Sequence, residues 1–266
     1  MPTSPSQDLK SLSPALHWYL TEPGRSVVDL GQLATARSVL RNAPPGDGHP
    51  VLVLPGLLAS DTSTRSLRRF LRRLDYRAYG WKLGRNLGPT PAVVQGIRDR
   101  LHELANRHQA PVSLIGWSLG GVYARELARQ SPVEVRDVIT LGSPFRLEGP
   151  VNMPAYRVFR MFSHFHDPQA ATPPPEHTRP ALVMPATSVY SERDGIVPWQ
   201  FCVDTPGPRR QNVAVTGSHL GYGHNPAVLW LAADRLAQPL GAWRPFDPPT
   251  ALQRHFPADL SGGLTW

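Results

Sequence analysis

The sequence predicts an α/β fold with a mostly parallel central sheet, helices on both of its faces and a short inserted segment. The chain has 266 residues, of which 41% are hydrophobic and 18% are charged, and this suits one large domain with a substantial core. From about residue 50 onward, short apolar runs alternate with longer amphipathic stretches, which is the pattern of parallel strands buried on both faces. We therefore expect a single domain over residues 1–266.

Each apolar run in this alternation predicts a strand, and turn residues such as glycine and proline mark its limits. The predicted strands lie at residues 50–56, 76–83, 111–117, 135–145, within 181–199 and at 211–219. The predicted helices lie at residues 62–74, at 91–107, directly after Ser118 and at 225–240.

The first part of the chain lies outside this alternation. Residues 1–46 contain helix-like pieces at 13–22 and 27–42, which are separated by a proline and a glycine. We expect them to form an N-terminal helical extension that packs beside the sheet and does not form a domain of its own.

The stretch PVSLIGWSLGGVYARELA, residues 111–128, joins an apolar strand to a helix through a serine flanked by glycines. A nucleophilic serine has to project its hydroxyl from a sharp strand-to-helix turn, and only small residues fit two positions to either side. Gly116 and Gly120 occupy those positions around Ser118, and Gly121 favours close packing of the helix. The helix N-terminus would also favour a developing oxyanion. The pattern predicts Ser118 as a nucleophile.

A serine nucleophile needs a base, and the base needs a carboxylate that orients it. Asp194 lies in a turn after one apolar strand, and His219 directly follows the next strand. His224 is an alternative base, although its GHNP setting is typical of a helix start. Asp137 and Asp167 are weaker alternatives for the acid, because the first precedes the apolar run of its strand and the second lies in the inserted segment.

These stretches resemble the α/β-hydrolase superfamily, and within it the serine esterases and lipases. The resemblance rests on LVLPGLLAS, GWSLGG, TLGSPF, YSERDGIVPW and GSHLGYGHNP, and it covers about residues 50–239. It implies the α/β-hydrolase fold, with Ser118 as nucleophile, His219 as general base and Asp194 as the residue that orients the base. The implied activity is cleavage of carboxylic esters through an acyl-enzyme. Acyl transfer or thioester cleavage by the same triad is the alternative, and a non-catalytic binding protein on this fold is less favoured.

The resemblance also implies an oxyanion hole made of two backbone amides. One amide follows the nucleophile, which indicates Leu119, and the other comes from the loop after an early strand. That loop reads PGLLAS here, where many family members have His-Gly, so Leu57 is favoured as the second donor and Leu58 stays open.

The inserted segment, residues 146–178, is interpreted as a small cap over the substrate. A helical reading places Val158, Phe162 and Phe165 on one face of it. A further set of apolar residues is expected around the mouth of the site: Leu58, Trp81, Trp117, Ile196 and Leu220. Such a surface would bury an acyl chain at about 0.8 kcal/mol per methylene, so we expect a small-molecule ester with an apolar acyl group as substrate.

The formal net charge is +8 and the pI is near 10.2, which raises the question of an anionic partner. The basic residues are scattered, and the densest cluster, within 65–77, has the spacing of one solvated helix face. No nucleic-acid-binding signature accompanies it, so a nucleic-acid partner is not expected. Contact with a membrane or lipid surface stays open, as does the oligomeric state.

No cofactor or metal is expected. His164 and His166 stand two positions apart beside Asp167 without further ligands nearby, and no glycine loop for a phosphate or dinucleotide occurs. Cys202 is the single cysteine, no apolar stretch is long enough for a membrane span, and the N-terminus lacks the pattern of a secretory signal. We therefore expect a cytoplasmic protein.

Overall fold

The computed structural model describes residues 12–149, 151 and 153–263. Within this part of the chain lie strands β1 (Pro50–Leu54), β2 (Arg77–Gly80), β3 (Val112–Trp117), β4 (Val135–Leu141), β5 (Ala186–Tyr190) and β6 (Arg210–Ala214). They form one parallel sheet in the order β2-β1-β3-β4-β5-β6. Because the chain leaves β1 to form β2 on one side and β3 on the other, the carboxyl ends of β1 and β3 lie at the reversal of strand order, where parallel α/β sheets bind ligands.

Helices cover both faces of this sheet, as the alternating pattern predicts. The helices are α1 (Leu16–Thr35), α2 (Arg37–Leu40), α3 (Arg65–Arg73), α4 (Pro91–His108), α5 (Leu119–Gln130), α6 (Pro154–Met161), α7 (Pro168–Ala171) and α8 (Pro226–Leu236). Side chains of α3 and α8 pack in one core cluster with β1 and β3, and side chains of α4 and α5 pack in a second cluster on the opposite face. Every residue of β1 and β3 is buried, which explains why these strands read as continuous apolar runs.

The segment between β4 and β5 departs from the regular alternation. It carries α6, α7 and short 3-10 turns. Helix α6 ends at Met161, and Phe162 follows as its C-cap, so the single face predicted for Val158, Phe162 and Phe165 does not form. The sequence has no strong helix-terminating residue at Met161, so the prediction extended the helix beyond its end in the structure.

Helix α1 corrects the prediction of two separate pieces at 13–22 and 27–42. It runs without a break from Leu16 to Thr35, with Pro23 and Gly24 inside it. Interior proline and glycine cost about 3 and about 1 kcal/mol in helices, so local propensity alone argues against this helix. Glu22 and Asp29 are buried against the body of the protein, and their contacts outweigh the local cost.

No helix in the described part of the chain is both long and apolar enough to cross a membrane.

Candidate active site

Ser118 lies between β3 and α5, at the carboxyl end of the sheet. Its backbone has φ 53° and ψ −123°, a strained conformation for a residue with a side chain. Its amide donates to the carbonyl of Leu141 at 2.8 Å, which fixes the turn to the neighbouring strand β4. The hydroxyl accepts and donates no hydrogen bond within the described part of the chain, and the side chain is half-buried. The serine is therefore held by its main chain while its hydroxyl is free.

The glycines around Ser118 are required by space. A Cβ on Gly116 would lie 2.3 Å from the Gly120 oxygen, and a Cβ on Gly120 would lie 2.3 Å from the Leu54 oxygen. A Cβ on Gly121 would lie 2.0 Å from Ser143 Oγ. The contact of Gly116 lies within the turn, as the steric argument from the sequence expects. The contacts of Gly120 and Gly121 are with β1 and with Ser143 after β4, so these two glycines let the turn pack against its neighbours.

Asp194 and His219 are joined by a hydrogen bond of 2.6 Å between Oδ2 and Nδ1. Asp194 follows β5 and is buried, and its second oxygen accepts the amides of Ile196 at 2.9 Å and Val197 at 2.8 Å. These contacts satisfy the carboxylate on both oxygens and fix its direction. Because a carboxylate only accepts hydrogen bonds, Nδ1 of His219 carries the proton and Nε2 is left as an acceptor.

The electrostatic surroundings of His219 favour its charged form. Burial alone lowers the pKa of this imidazole, but the charge and hydrogen bond of Asp194, together with the charge of Glu22, raise the pKa above its usual value. The imidazolium form of His219 is therefore stabilised within the folded protein.

Two contacts bring the serine turn and the acid–base pair to the same place. The indole Nε1 of Trp117, directly before Ser118, donates to the His219 carbonyl at 3.1 Å. Gly142 directly follows Leu141, whose carbonyl binds the Ser118 amide. A Cβ on Gly142 would lie 3.0 Å from Asp194 Oδ2 and 3.1 Å from His219 Nδ1. No hydrogen bond links Ser118 to His219 in the described residues, so the structure contains the Asp–His pair and a free serine beside it.

The loop after β1 lies against the serine, since a Cβ on Gly56 would be 3.1 Å from Ser118 Cβ. The amide of Leu58 is occupied, because it donates to the Asn86 carbonyl at 2.7 Å. The amides of Leu57 and Leu119 have no acceptor within the described residues, and both residues line the cavity beside Ser118. This geometry favours Leu57 over Leu58 as a donor to a bound oxyanion.

Asn86 holds this loop, and the sequence analysis missed it. Its Nδ2 donates to the Pro55 carbonyl at 2.9 Å, and its Oδ1 accepts from the Gly88 amide at 3.1 Å and from the Tyr123 hydroxyl at 3.2 Å. Its main chain also binds the amide of Leu58. An asparagine in a loop rich in glycine and proline is a weak signal by itself, because such loops often contain one.

A cavity of about 230 Å³ opens beside Ser118. Its walls are mainly apolar. They come from the loop after β1, from the loop that carries Asn86, from α5 and from the segment between β4 and β5. The residues that define it include Leu57, Ser118, Leu119, Val122, Tyr123, Phe145, Leu147, Met153, Tyr156, Phe159 and Val197. The space suits an apolar group attached to a carbonyl that lies at the serine.

Comparisons with known proteins were made against families, curated sequences and solved structures. No family model and no curated protein matches the sequence. A pyrethroid hydrolase, PytH, matches in structure with a TM-score of 0.51 and 18% identity, over 71% of this chain and 97% of that chain. Naproxen esterase from Bacillus subtilis matches with a TM-score of 0.50 and 15% identity, over 79% and 97% of the two chains. The chain has the α/β-hydrolase fold.

Lipase B from Aspergillus fumigatus shares this fold, with a TM-score of 0.57 and 18% identity. The match covers 78% of this chain and 59% of the lipase, so part of the lipase has no counterpart here. The fold class expected from the sequence, a mostly parallel sheet with helices on both faces, is confirmed.

Within the α/β-hydrolase fold, the residues expected around the mouth of the site take different places. Trp81 is fully buried in the core beside α4, and its indole donates to the Gly84 carbonyl, so its assignment to the mouth is wrong. Trp117 is also buried, and Ile196 packs on a neighbouring core cluster. Leu58 and Leu220 are 43% and 44% exposed, and neither lines the cavity. These residues were expected at the mouth of the site because they are near the motifs in sequence, but sequence position does not determine where a side chain points.

The alternative acid and base residues have other partners. Nε2 of His224 lies 2.9 Å from the Ser26 carbonyl, and Asn225 beside it caps α8. Asp167 caps α7 by accepting the amides of Gln169 and Ala170. His224 therefore joins the start of α8 to α1, and Asp167 acts within its own segment as a helix cap.

His166 and Asp167, which were considered as metal ligands and not favoured, have local roles. Nε2 of His166 lies 2.9 Å from the Leu87 carbonyl, and the amide of Asp167 donates to the Pro89 carbonyl at 2.8 Å. These bonds fasten the segment between β4 and β5 to the loop that carries Asn86. No cluster of three potential metal ligands is found among the described residues.

A second Ser–His–Asp row occurs at the opposite, amino end of the same strands. Nε2 of His49 lies 2.9 Å from Ser113 Oγ, Nδ1 pairs with Asp47, and Ser113 Oγ donates to Asp137 Oδ2 at 2.6 Å. Ser113 has no exposed surface, so no substrate reaches it. Burial raises the pKa of Asp137 to about 6. Asp137 therefore belongs to a structural network away from Ser118.

Proposed function

We propose that this chain is a serine hydrolase that cleaves carboxylic esters, with Ser118 as nucleophile, His219 as general base and Asp194 as the residue that orients it. One observation carries the proposal: a strained serine turn opens on an apolar cavity, and a buried carboxylate–imidazole hydrogen bond of 2.6 Å lies at the same edge of the sheet. The names of the structural neighbours, a pyrethroid hydrolase, a lipase and an esterase, agree with this activity.

The reaction begins when an ester binds and the Ser118 hydroxyl turns toward Nε2 of His219. Catalytic hydrogen bonds of this kind often tighten only when substrate is bound, and the free hydroxyl of Ser118 can rotate about its Cα–Cβ bond. The hydroxyl attacks the carbonyl carbon and its proton passes to Nε2. The alcohol leaves with that proton, and water then releases the acid from the acyl-enzyme by the same route. Asp194 keeps the imidazole in the required tautomer throughout.

The negative charge that develops on the carbonyl oxygen is bound by the amides of Leu57 and Leu119. Neither amide has an acceptor in the part of the chain that the structure describes, and both residues line the cavity beside the serine. One donor of this kind contributes about 3 kcal/mol to transition-state stabilisation in serine hydrolases. The bond from the Leu58 amide to Asn86 supports this choice, since it leaves Leu57 as the available donor of the loop.

Residues 146–178 act as a small cap that supplies one wall of the acyl site. Tyr156 and Phe159 of α6 line the cavity, together with Leu147 and Met153 from the same segment. An acyl chain in this space gains about 0.8 kcal/mol for each methylene that it buries. The preferred substrate is therefore a small-molecule ester with an apolar acyl group.

The test measures hydrolysis of nitrophenyl esters with acyl chains of increasing length. S118A is expected to abolish turnover and labelling by a fluorophosphonate probe, whereas S131A, at the other end of α5, keeps both. H219Q is expected to lower kcat by several orders of magnitude, and H224Q provides the matched control because His224 binds Ser26. F159A should weaken the preference for longer chains, and F165A, whose side chain is 52% exposed, should leave it unchanged.

Retention of most activity in S118A would remove the assignment of the nucleophile. Labelling of Ser118 without ester hydrolysis would instead indicate acyl transfer to another acceptor or thioester cleavage, and turnover of thioesters and of esters with added alcohol separates the two. Failure of the probe to label any serine would indicate a binding protein on this fold.

A further inference from the structure

Helix α1 contributes a buried carboxylate to the back of the proposed active site. Glu22 is 1% exposed, although glutamate is rarely buried without partners. Its Oε1 accepts the amide of Leu220 at 2.9 Å, and its Oε2 accepts the amide of Gly195 at 3.1 Å and pairs with Arg25. Both oxygens of this side chain therefore act as acceptors, as they do in the ionised form.

The two amides that Glu22 binds belong to the residues directly after the proposed acid and base. Gly195 follows Asp194, and Leu220 follows His219, so a single carboxylate joins the loops that carry them. Gly195 has a steric reason as well, because a Cβ there would lie 2.4 Å from the Trp18 carbonyl and 2.8 Å from Glu22 Oε2. The close approach of α1 to the acid loop therefore needs a glycine.

We propose that Glu22 is a positioning residue of the active site, whose carboxylate sets the spacing between the acid and base loops. This inference rests on the proposed function of Asp194 and His219. It gives α1 a role in catalysis, although the helix lies almost 200 residues before the histidine and outside the alternation of strands and helices.

Electrostatics gives Glu22 a second effect on the base. Its negative charge adds to that of Asp194 in raising the pKa of His219, against the lowering effect of burial. Burial raises the pKa of Glu22 itself, and the Leu220 amide, Arg25 and His219 oppose that effect while Asp194 adds to it. The guanidinium of Arg25 lies 4.8 Å from the centre of the Trp18 ring, which fixes it beside the carboxylate.

Asp29, two turns along the same helix, provides a matched control. It is also buried, and it accepts the Ser218 amide at 3.0 Å, the Ser218 hydroxyl at 2.6 Å and Asn225 Nδ2 at 3.1 Å. It holds the histidine loop to α1, and among the described residues it forms no hydrogen bond with the acid loop. Its charge is also not among those that raise the pKa of His219. A loss of Asp29 therefore loosens the helix without the two effects ascribed to Glu22.

The experiment compares E22Q, E22D and D29N with the wild type. The readouts are kcat and KM for a nitrophenyl ester from pH 5 to 9, the melting temperature, and the pKa of His219 from NMR titration, with H219Q identifying its signal. We expect E22Q to lower kcat on the order of tenfold at nearly unchanged KM, as loss of residues that orient reacting groups does. The acidic limb of kcat/KM and the NMR pKa of His219 should both move to lower pH, because a negative charge near the imidazole is lost.

E22D keeps the charge but is too short to reach both amides. It should lower kcat while the acidic limb and the NMR pKa stay close to those of the wild type, and it serves as the informative variant if E22Q does not fold. D29N should lower the melting temperature and leave the limb and the NMR pKa in place.

The inference is overturned if E22Q changes only the melting temperature, in the manner of D29N, or if the pKa of His219 is the same in E22Q and the wild type. The NMR titration needs no turnover. A wild type that cleaves no ester would therefore refute the proposed function, and the titration would still decide whether Glu22 acts on His219. An E22Q variant with full kcat and an inactive S118A would refute the role of Glu22 alone.

Discussion

Replacement of Asn86 by alanine tests whether the loop that carries Leu57, the proposed oxyanion donor, depends on this one side chain. In the folded protein Asn86 makes three side-chain hydrogen bonds, to the Pro55 carbonyl, the Gly88 amide and the Tyr123 hydroxyl. Its side chain has no exposed surface, so water cannot replace these partners in N86A without entering the core. At about 1 kcal/mol for each bond, N86A should lose about 3 kcal/mol of unfolding free energy.

The variant Y123F gives the reference for one of these bonds. It removes the hydroxyl that donates a hydrogen bond to Asn86 Oδ1 and leaves the other two hydrogen bonds of the Asn86 side chain in place. We expect a loss of about 1 kcal/mol in urea unfolding, and therefore a ratio of about three between the two variants. Tyr123 also lines the cavity, so its effect on KM is measured separately.

The effect on catalysis follows from the loop itself. Pro55 lies two residues before Leu57, and loss of its bond to Asn86 frees the loop that presents the Leu57 amide. Removal of one oxyanion donor costs about 100-fold to 1000-fold in kcat, and loosening it should cost less, on the order of tenfold. An N86A variant that is destabilised by about 3 kcal/mol but keeps full kcat would refute the role of the loop. Stability equal to that of Y123F would refute the hydrogen-bond count.

Three further perturbations test the site and its support. D194N should lower kcat about 10⁴-fold, because the asparagine would favour the wrong tautomer of His219. In the wild type, kcat/KM should decrease at acidic pH with a midpoint above about pH 6.5, because the pKa of His219 is raised. G120A should lose more than about 4 kcal/mol in thermal unfolding, since its Cβ would lie 2.3 Å from a carbonyl of β1. R125M should lose about 3–5 kcal/mol in urea unfolding, because the buried Asp204 loses the arginine that pairs with it and Glu176 is left with Arg129 and Arg179 alone.

Each of these has a clear contrary result. D194N within tenfold of the wild type would mean that the buried carboxylate does not orient the base. A fully stable G120A would contradict the steric account of the serine turn, and a stable R125M would mean that the buried ion cluster is dispensable.

The parts of the site that could be predicted from the sequence are those in which chemistry and backbone geometry share one short stretch. Gly116 could be predicted because a Cβ there would meet Gly120 and Gly121 in the same turn, whereas Gly120 was predicted from the motif alone, since its Cβ would meet Leu54 of β1. Asp194 and His219 are readable because each follows an apolar strand, and parallel strands bring their carboxyl ends to one edge. Their hydrogen bond is present in the structure, whereas catalysis by them stays a prediction.

The residues that were missed act through the backbone of distant segments. Glu22 binds the amides of Gly195 and Leu220, and no pattern of residue types marks a backbone amide as a partner. Asn86 was missed for the same reason. Trp81 was misplaced because an aromatic residue after a short strand can turn toward the core or the site, and its contacts with α4 decide the matter.

The Ser113–His49–Asp47 network at the amino end of the sheet provides a comparison for Ser118, the proposed nucleophile. His49 and Ser113 are within hydrogen-bond distance, whereas His219 and Ser118 form no such bond in the described structure. By the distance between histidine and serine alone, Ser113 would be the better candidate. Ser113 lies inside a strand with no exposed surface and its hydroxyl donates a hydrogen bond to Asp137, so the hydroxyl is both inaccessible and already paired. Ser118 stands on a strained turn beside a cavity, and neither its hydroxyl nor the amides of Leu57 and Leu119 has a hydrogen-bond partner among the described residues. Access to substrate and the two nearby amides therefore favour Ser118 as the proposed nucleophile. The hydrogen bond from a serine to its base can form when substrate binds, whereas a fully buried serine such as Ser113 offers substrate no route.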